Sequence, residues 1–108
     1  MKQLYINNTN TVSLIGLRSA VDDVFLNHGV GGVAVNAQAK LTQNGTAVTG
    51  GTISLAYITG TDGEYMADLP STLVLIEDQY YTIEVNVSSG GVYNNWNIPV
   101  IAKHRGEI

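Results

Sequence analysis

The sequence contains no cysteine, few prolines and few charged residues, and each shortage excludes a class of protein. Without cysteine the chain can form neither a disulfide nor a thiolate metal site. Charged residues make up 13% of the chain, which is about half the usual share, and Pro 2 stands against Gly 12. This composition does not fit a disordered acidic tail. We therefore expect residues 1–108 to fold as one domain without covalent or metal staples.

Positive charge is also scarce in this chain. Lys and Arg total 5 and Asp and Glu total 9, which gives a net charge of −4 at pH 7. Such a protein lacks the basic field that nucleic-acid binding needs, and it has little to attract anionic lipid. No run approaches the roughly 20 apolar residues that cross a bilayer, and residues 1–10 lack the apolar stretch of a signal peptide. We expect no nucleic acid partner, no membrane partner and no leader.

The sequence does contain apolar and polar residues in strict alternation, which is the pattern of strands with one buried face. Asn44-Gly45 and Gly90-Gly91 are pairs typical of tight hairpin turns. About seven short strands joined by such turns predict an all-β protein, a single immunoglobulin-like β-sandwich. The predicted strands cover residues 4–6, 11–17, 33–42, 52–58, 64–69, 80–87 and 92–103.

Residues 18–32 allow two interpretations. Ser19 and Asp22 could cap and begin a short helix, because apolar residues follow at helical spacing. The run Val24-Phe25-Leu26 is instead rich in the β-branched and aromatic residues that strands prefer. We prefer the extended interpretation.

The aromatic residues divide into a predicted core set and a predicted surface set. Leu75 stands six residues before Tyr81, and this entry into a strand resembles the tyrosine corner of fibronectin-type domains. We expect Trp96 to pack in the core with Ile83 and Val85. The other tyrosines on predicted core faces are Tyr57 and Tyr65, and those predicted to be exposed are Tyr5, Tyr80 and Tyr93.

No motif in the sequence indicates a catalytic or metal centre. His28 and His104 are 76 positions apart, and neither lies in a recognisable ligand or catalytic pattern. The paired carboxylates, such as Glu77-Asp78, fit turns better than a calcium loop. Residues 29–32 are rich in glycine but lack the lysine of a phosphate loop. We expect no enzyme activity, no cofactor and no metal.

Five segments of the chain are informative when taken together, and they are residues 5–10, 12–18, 48–57, 61–70 and 96–100. Together they resemble a family of small proteins encoded in the structural gene blocks of tailed bacteriophages and prophages. One of them, Gly63-Glu64-Tyr65-Met66-Ala67-Asp68-Leu69-Pro70, also resembles the N-terminal module of phage baseplate proteins and other immunoglobulin-like virion domains. The resemblance spans nearly the whole chain.

The resemblance implies a virion structural or assembly protein of the head–tail joining region, the tail or the capsid surface. Such a protein would be made in the bacterial cytoplasm, reside in the virion, and bind itself or other virion proteins. Leu4, Tyr5 and Ile6 are the first expected contacts, because they are apolar and set apart by residues 7–10. Pro99 is the other, since proline cannot donate to a ladder and so favours a sheet edge. The alternative is an adhesion or carbohydrate-binding module with an exposed aromatic patch.

Overall fold

A computed structural model describes residues 2–18, 25–29, 34–90 and 92–104 of the chain. These residues form eight β-strands and no helix. In chain order the strands are β1 (Lys2–Tyr5), β2 (Asn10–Leu14), β3 (Asn36–Gln43), β4 (Thr46–Ser54), β5 (Ala56–Tyr57), β6 (Tyr65–Leu69), β7 (Tyr80–Ser89) and β8 (Val92–Lys103).

The strands form two sheets that enclose one core, which confirms the predicted all-β sandwich. The larger sheet has five strands in the order β1-β8-β7-β3-β4, and the smaller has three in the order β2-β6-β5. All neighbours are antiparallel except β1 and β8, which run parallel. Alternate residues of β3 and β7 point inward, as the period-two pattern predicts. The fully inward set on these two strands is Ala37, Ala39, Leu41, Tyr81, Ile83, Val85 and Val87.

The predicted tyrosine corner is present where the chain crosses from β6 to β7. The Tyr81 hydroxyl accepts the backbone N–H of Ile76 at 3.0 Å. Leu75 is buried in the core cluster beside this bond. The bond fixes where β7 begins, and β7 then pairs with β3 on one side and with β8 on the other.

One hairpin shows where local sequence decides the fold, and one strand boundary shows where it does not. Asn44 and Gly45 both have positive φ, at 51° and 81°, as a type I′ turn requires. The predicted strand at residues 52–58 is wrong as a single element. Ser54 still belongs to the larger sheet, whereas Ala56 pairs with Met66 in the smaller one. The chain changes sheets at the buried Leu55, so the alternation continues although the pairing partner changes.

Strand β4 also begins earlier than the sequence predicts, at Thr46. Its pairing with β3 shifts register between Lys40 and Thr42. Gly50 lies in the shifted part with a φ of 78°. The shift breaks the alternation of inward and outward residues, which explains why residues 46–51 do not carry a strand pattern.

The prediction that Trp96 is buried in the core is wrong. The prediction that its side chain lies on the inward face of β8 is right. Trp96 pairs with Val85 and lies on the inward side of β8, in line with Ile98 and Val100. Burial decreases along this row: Val100 is 1% exposed, Ile98 is half-buried, and Trp96 is 40% exposed. The physical reason is that β1 covers only the last third of β8, so the core thins toward Trp96.

One end of the sandwich is fixed by Tyr65, at the start of β6. Its buried hydroxyl donates to the Leu26 carbonyl at 2.6 Å and accepts the His28 N–H at 3.1 Å. Burial, opposed by the His28 N–H, raises the pKa of Tyr65, so the hydroxyl keeps its proton at neutral pH. Arg18 and Phe25 form an isolated antiparallel bridge at two positions of the ambiguous region 18–32. The choice between helix and strand falls mainly on residues 19–24, which lie outside the described residues, as do residues 30–32.

We predict that Tyr81→Phe lowers the free energy of unfolding by about 1 kcal/mol, because it removes one neutral hydrogen bond at the corner and keeps the buried ring. Tyr80→Phe is the matched control, since the Tyr80 side chain is 63% exposed. Urea unfolding followed by circular dichroism measures both variants. Equal losses in the two variants would contradict the role of the corner.

We predict that Gly63→Ala destabilises the fold more than Gly60→Ala. Both glycines have positive φ, so an alanine at either position costs about 1–2 kcal/mol of strain. At Gly63 a Cβ atom would also lie 2.5 Å from the Leu17 nitrogen and 2.6 Å from its oxygen, whereas Gly60 has open space. The overlap should cost about 1–3 kcal/mol more. Thermal unfolding tests the order, and similar melting temperatures would contradict the clash.

Candidate interaction edge

Strand β8 is much longer than the strand that covers its outer side. It has 12 residues, and β7 pairs with it from Val92 to Ile101. On the other side β1 has 4 residues and pairs only with residues 100–103. Among the described strands, none pairs with residues 92–99 on that side. We call residues 92–99 the β8 edge.

The backbone of the β8 edge presents hydrogen-bonding groups to an incoming strand. Alternate residues of a strand direct their N–H and C=O groups to opposite sides. Ala102 exchanges hydrogen bonds with the segment that leads into β7, whereas the Lys103 carbonyl accepts the Ile6 N–H on the β1 side. Because β7 and β8 pair without a register shift, the odd-numbered residues of the edge face away from β7. The residues that offer both groups are Tyr93, Asn95 and Asn97.

Pro99 ends this free stretch of backbone. It pairs with Thr82 and belongs to the odd-numbered set, so its missing N–H removes no bond from the ladder with β7. The next residue, Val100, is the first to pair with β1. The exposed Pro99 therefore lies at the boundary between the free and the covered parts of β8.

The β8 edge carries no charged side chain. Its sequence is Val-Tyr-Asn-Asn-Trp-Asn-Ile-Pro. Sheet edges that must stay unpaired are usually protected by lysine, by inward-pointing charges or by bulges. Here proline at the far end is the only such device among the described residues of the edge. The edge therefore has no charged side chain that would oppose pairing with another strand.

An apolar opening between the two sheets lies directly behind the β8 edge. It has a volume of about 280 Å³ and is lined mainly by apolar side chains. A second cleft of about 410 Å³ continues it between β1 and β2, and the two share Val12, Ser13 and Ile98. We call the first opening the edge groove, and its apolar lining is Val12, Leu14, Val85, Trp96 and Ile98.

The structure places the N-terminal contacts predicted from the sequence differently from Pro99. Leu4 is 3% exposed and Ile6 is 7% exposed, so both side chains belong to the core. Tyr5 is half-buried beside Asn10, whose side-chain amide bonds both the N–H and the carbonyl of Tyr5. Because Leu4 and Ile6 face inward, we move the candidate interface from β1 to the β8 edge and retain Pro99 in it.

The titratable side chains serve structural contacts. His28 accepts the Val35 N–H on Nδ1 at 3.0 Å, and His104 Nε2 lies 4.0 Å from a Glu77 carboxylate oxygen. Lys103 pairs with Asp78. Within the described residues, no group of three His, Asp or Glu side chains is placed to hold a metal ion.

The most exposed aromatic side chain on the outer face of the larger sheet, among the described residues, is Tyr93, at 73%. Two shallow depressions meet at it, and amides line the one toward β3. Tyr80 is also exposed, at 63%, as the sequence predicts. The amides around Tyr93 are Asn36, Gln38 and Asn86.

Most of the edge groove was missed by the sequence prediction, because its lining residues come from three different strands. Pro99 was predicted correctly to lie at an edge, because a proline has no N–H to donate and so limits strand pairing at its own position. The uncharged run at residues 92–99 is a signal that could have extended the prediction to the whole β8 edge. The exposure of Trp96 depends on the length of β1, which local sequence does not fix.

Comparison with known proteins found no protein family, no curated protein and no solved structure that matches this chain. No helix in the described part of the chain is long and apolar enough to cross a membrane. Any function therefore has to be argued from the geometry above and from the sequence.

We predict that the fluorescence of Trp96, the single tryptophan, is accessible to the neutral quencher acrylamide in the native protein. Its 40% exposure at the mouth of the edge groove provides the access. The quenching constant should lie between those of a buried indole and of the urea-unfolded chain. A native quenching constant near zero would contradict this and show that Trp96 is buried in the core.

Proposed function

We propose that the protein is a structural or assembly protein that acts through protein–protein contacts along the β8 edge. The observation that carries the proposal is the free, uncharged backbone of residues 92–99 above an apolar groove. Strand addition uses both features, because main-chain hydrogen bonds supply affinity and side-chain pockets supply specificity. The function follows from a surface that is complementary to another polypeptide.

The edge fits a polypeptide better than it fits a small molecule. The edge groove is open along one side, whereas small-molecule sites usually enclose most of their ligand. Its lining offers apolar surface and the Ser13 and Asn97 side chains, with no titratable group. An extended chain satisfies the outward N–H and C=O groups and covers Trp96 and Ile98 at the same time.

The sequence resemblance to proteins of tailed-phage structural gene blocks supports a setting for this activity. Virions repeat each subunit many times, and small sandwiches with usable edges can join neighbours in such arrays. We therefore propose that the chain is a virion component of the head–tail joining region, the tail or the capsid surface, made in the bacterial cytoplasm. Its partners would be itself or other virion proteins.

The second candidate function is carbohydrate binding at the outer face of the larger sheet. The observation in its favour is the exposed ring of Tyr93 beside the side-chain amides of Asn36, Gln38 and Asn86. An aromatic face can stack on a sugar, and amides can bond its hydroxyls. A glycan array separates the two candidates, since binding that Tyr93→Ala abolishes would favour this one.

We predict that the protein is present in particles released from the strain that carries its gene. Particles are purified on a density gradient and probed with an antibody against the chain. A copy with Ile98→Lys should be lost from the particles, because a buried unpaired charge in the edge groove opposes strand addition.

Gln38→Lys is the matched control, since it adds the same charge on the exposed face of β3, which is an interior strand of the larger sheet. Circular dichroism and melting temperature first establish that the Ile98→Lys copy folds, because Ile98 packs against the core. Incorporation of the control and loss of the folded Ile98→Lys copy support the proposal. Absence of the parent protein from purified particles, or equal incorporation of both variants, would contradict it.

A further inference from the structure

We infer that the occupant of the β8 edge is a second copy of this chain, paired antiparallel through its own β8 edge about a twofold axis at Asn95. The inference rests on the proposed function and names the partner. Two five-stranded sheets would then join into one continuous sheet. The arrangement is isologous, so the same residues serve both copies.

The length of the edge fits a second copy. An added strand cannot extend past Val100, because β1 occupies that position. At the other end, β8 begins at Val92, next to the hairpin turn that follows Ser89. When two β8 edges pair antiparallel, the turn of each copy comes opposite the end of the free stretch in the other. The second chain therefore turns away where β1 would block it.

The position of Pro99 selects the register. Only odd-numbered residues face outward, so they must pair with odd-numbered residues of the second copy. An axis at Trp96 would place the Tyr93 carbonyl opposite Pro99, which has no N–H to donate. An axis at Asn95 pairs Asn95 with Asn95, and Tyr93 with Asn97, so each outward N–H finds a carbonyl. With the axis at Asn95, the outward residues Tyr93, Asn95 and Asn97 all use both their N–H and their carbonyl in hydrogen bonds to the second copy.

The side chains of the edge are compatible with this register. On the inward side, Trp96 comes diagonal to Trp96 of the second copy, at a separation that large side chains can span. The two rings then cover the open mouths of both edge grooves. On the outward side, Asn95 faces Asn95 and Tyr93 faces Asn97, so no charged groups meet.

Charge outside the edge gives the pairing a distinct salt dependence. Each copy has a net charge of −4, so two copies repel at low ionic strength. Salt screens this repulsion, and it breaks no ion pair within the β8 edge. Association should therefore strengthen as salt rises from low to physiological concentration, opposite to an interface held by ion pairs.

The test is sedimentation velocity of the full chain at concentrations up to about 1 mM, over a range of salt. The parent should form a dimer. Asn95→Pro removes the central outward N–H and no bond to β7, and it should weaken the dimer by about tenfold or more. Asn95→Ala keeps the N–H and should still dimerise, and melting temperatures establish that each variant folds.

Amide hydrogen exchange followed by NMR then reports which backbone groups of β8 the dimer uses. With rising concentration, the amides of Tyr93, Asn95 and Asn97 should gain protection, while those of Asn94 and Trp96, already facing β7, should not change. A dimer that Asn95→Pro leaves intact would overturn the inference. A parent chain that stays monomeric at the highest concentration would overturn it as well.

Failure of this inference and failure of the proposed function are distinguishable. If the pure chain is monomeric and Ile98→Lys still removes the protein from particles, the second copy is wrong and the assembly function stands. If the chain dimerises through Asn95 but is absent from particles, the inference stands and the virion setting is wrong.

Discussion

The tyrosine corner, in which the buried Tyr81 ring packs in the core and its hydroxyl accepts the Ile76 N–H, is the constraint on which the rest of the sandwich depends. It sets the point at which the chain enters β7, and β7 carries the long ladders to both β3 and β8. In a sheet with one buried face, a slip of one residue would turn every inward side chain outward. The corner therefore fixes the core and, through the ladder to β8, also decides which backbone groups of residues 92–99 face away from the protein.

Because β1 is much shorter than β8, residues 92–99 of β8 have no neighbour among the described strands on the side away from β7. β1 closes the sheet beside Val100 and Ala102, where the core is fully buried. Beyond Pro99 nothing in the described chain continues that cover, and the exposure of Trp96 is the direct result. The protein gains little stability from this part of the inward face. The same apolar area is what the proposed strand addition would cover, so burial that is missing in the free chain would be gained on association.

The sequence predicts this fold well wherever the residues of a single strand determine which side chains are buried. The inward faces of β3, β6 and β7 follow from alternation, and the start of β7 follows from the spacing of Leu75 and Tyr81. Prediction fails where the outcome depends on a strand elsewhere in the chain. The crossing at Leu55 keeps its alternation while the partner strand changes, and the depth of Trp96 is set by where β1 ends. Leu4 and Ile6 show the same limit, because a short apolar segment does not reveal whether its own sheet or a neighbour covers it.

Proline at position 99 limits the ways in which the exposed β8 edge can pair. An uncharged edge without interruption would allow strands to pair in several registers, which is the hazard of unprotected sheets. Pro99 lacks the donor that a longer ladder needs, and β1 blocks further extension immediately after it. Pairing is thereby confined to residues 92–98 and to registers that do not require a donor at position 99. Pro99 thus makes the β8 edge unable to pair in many registers, and for the same reason it favours one defined pairing.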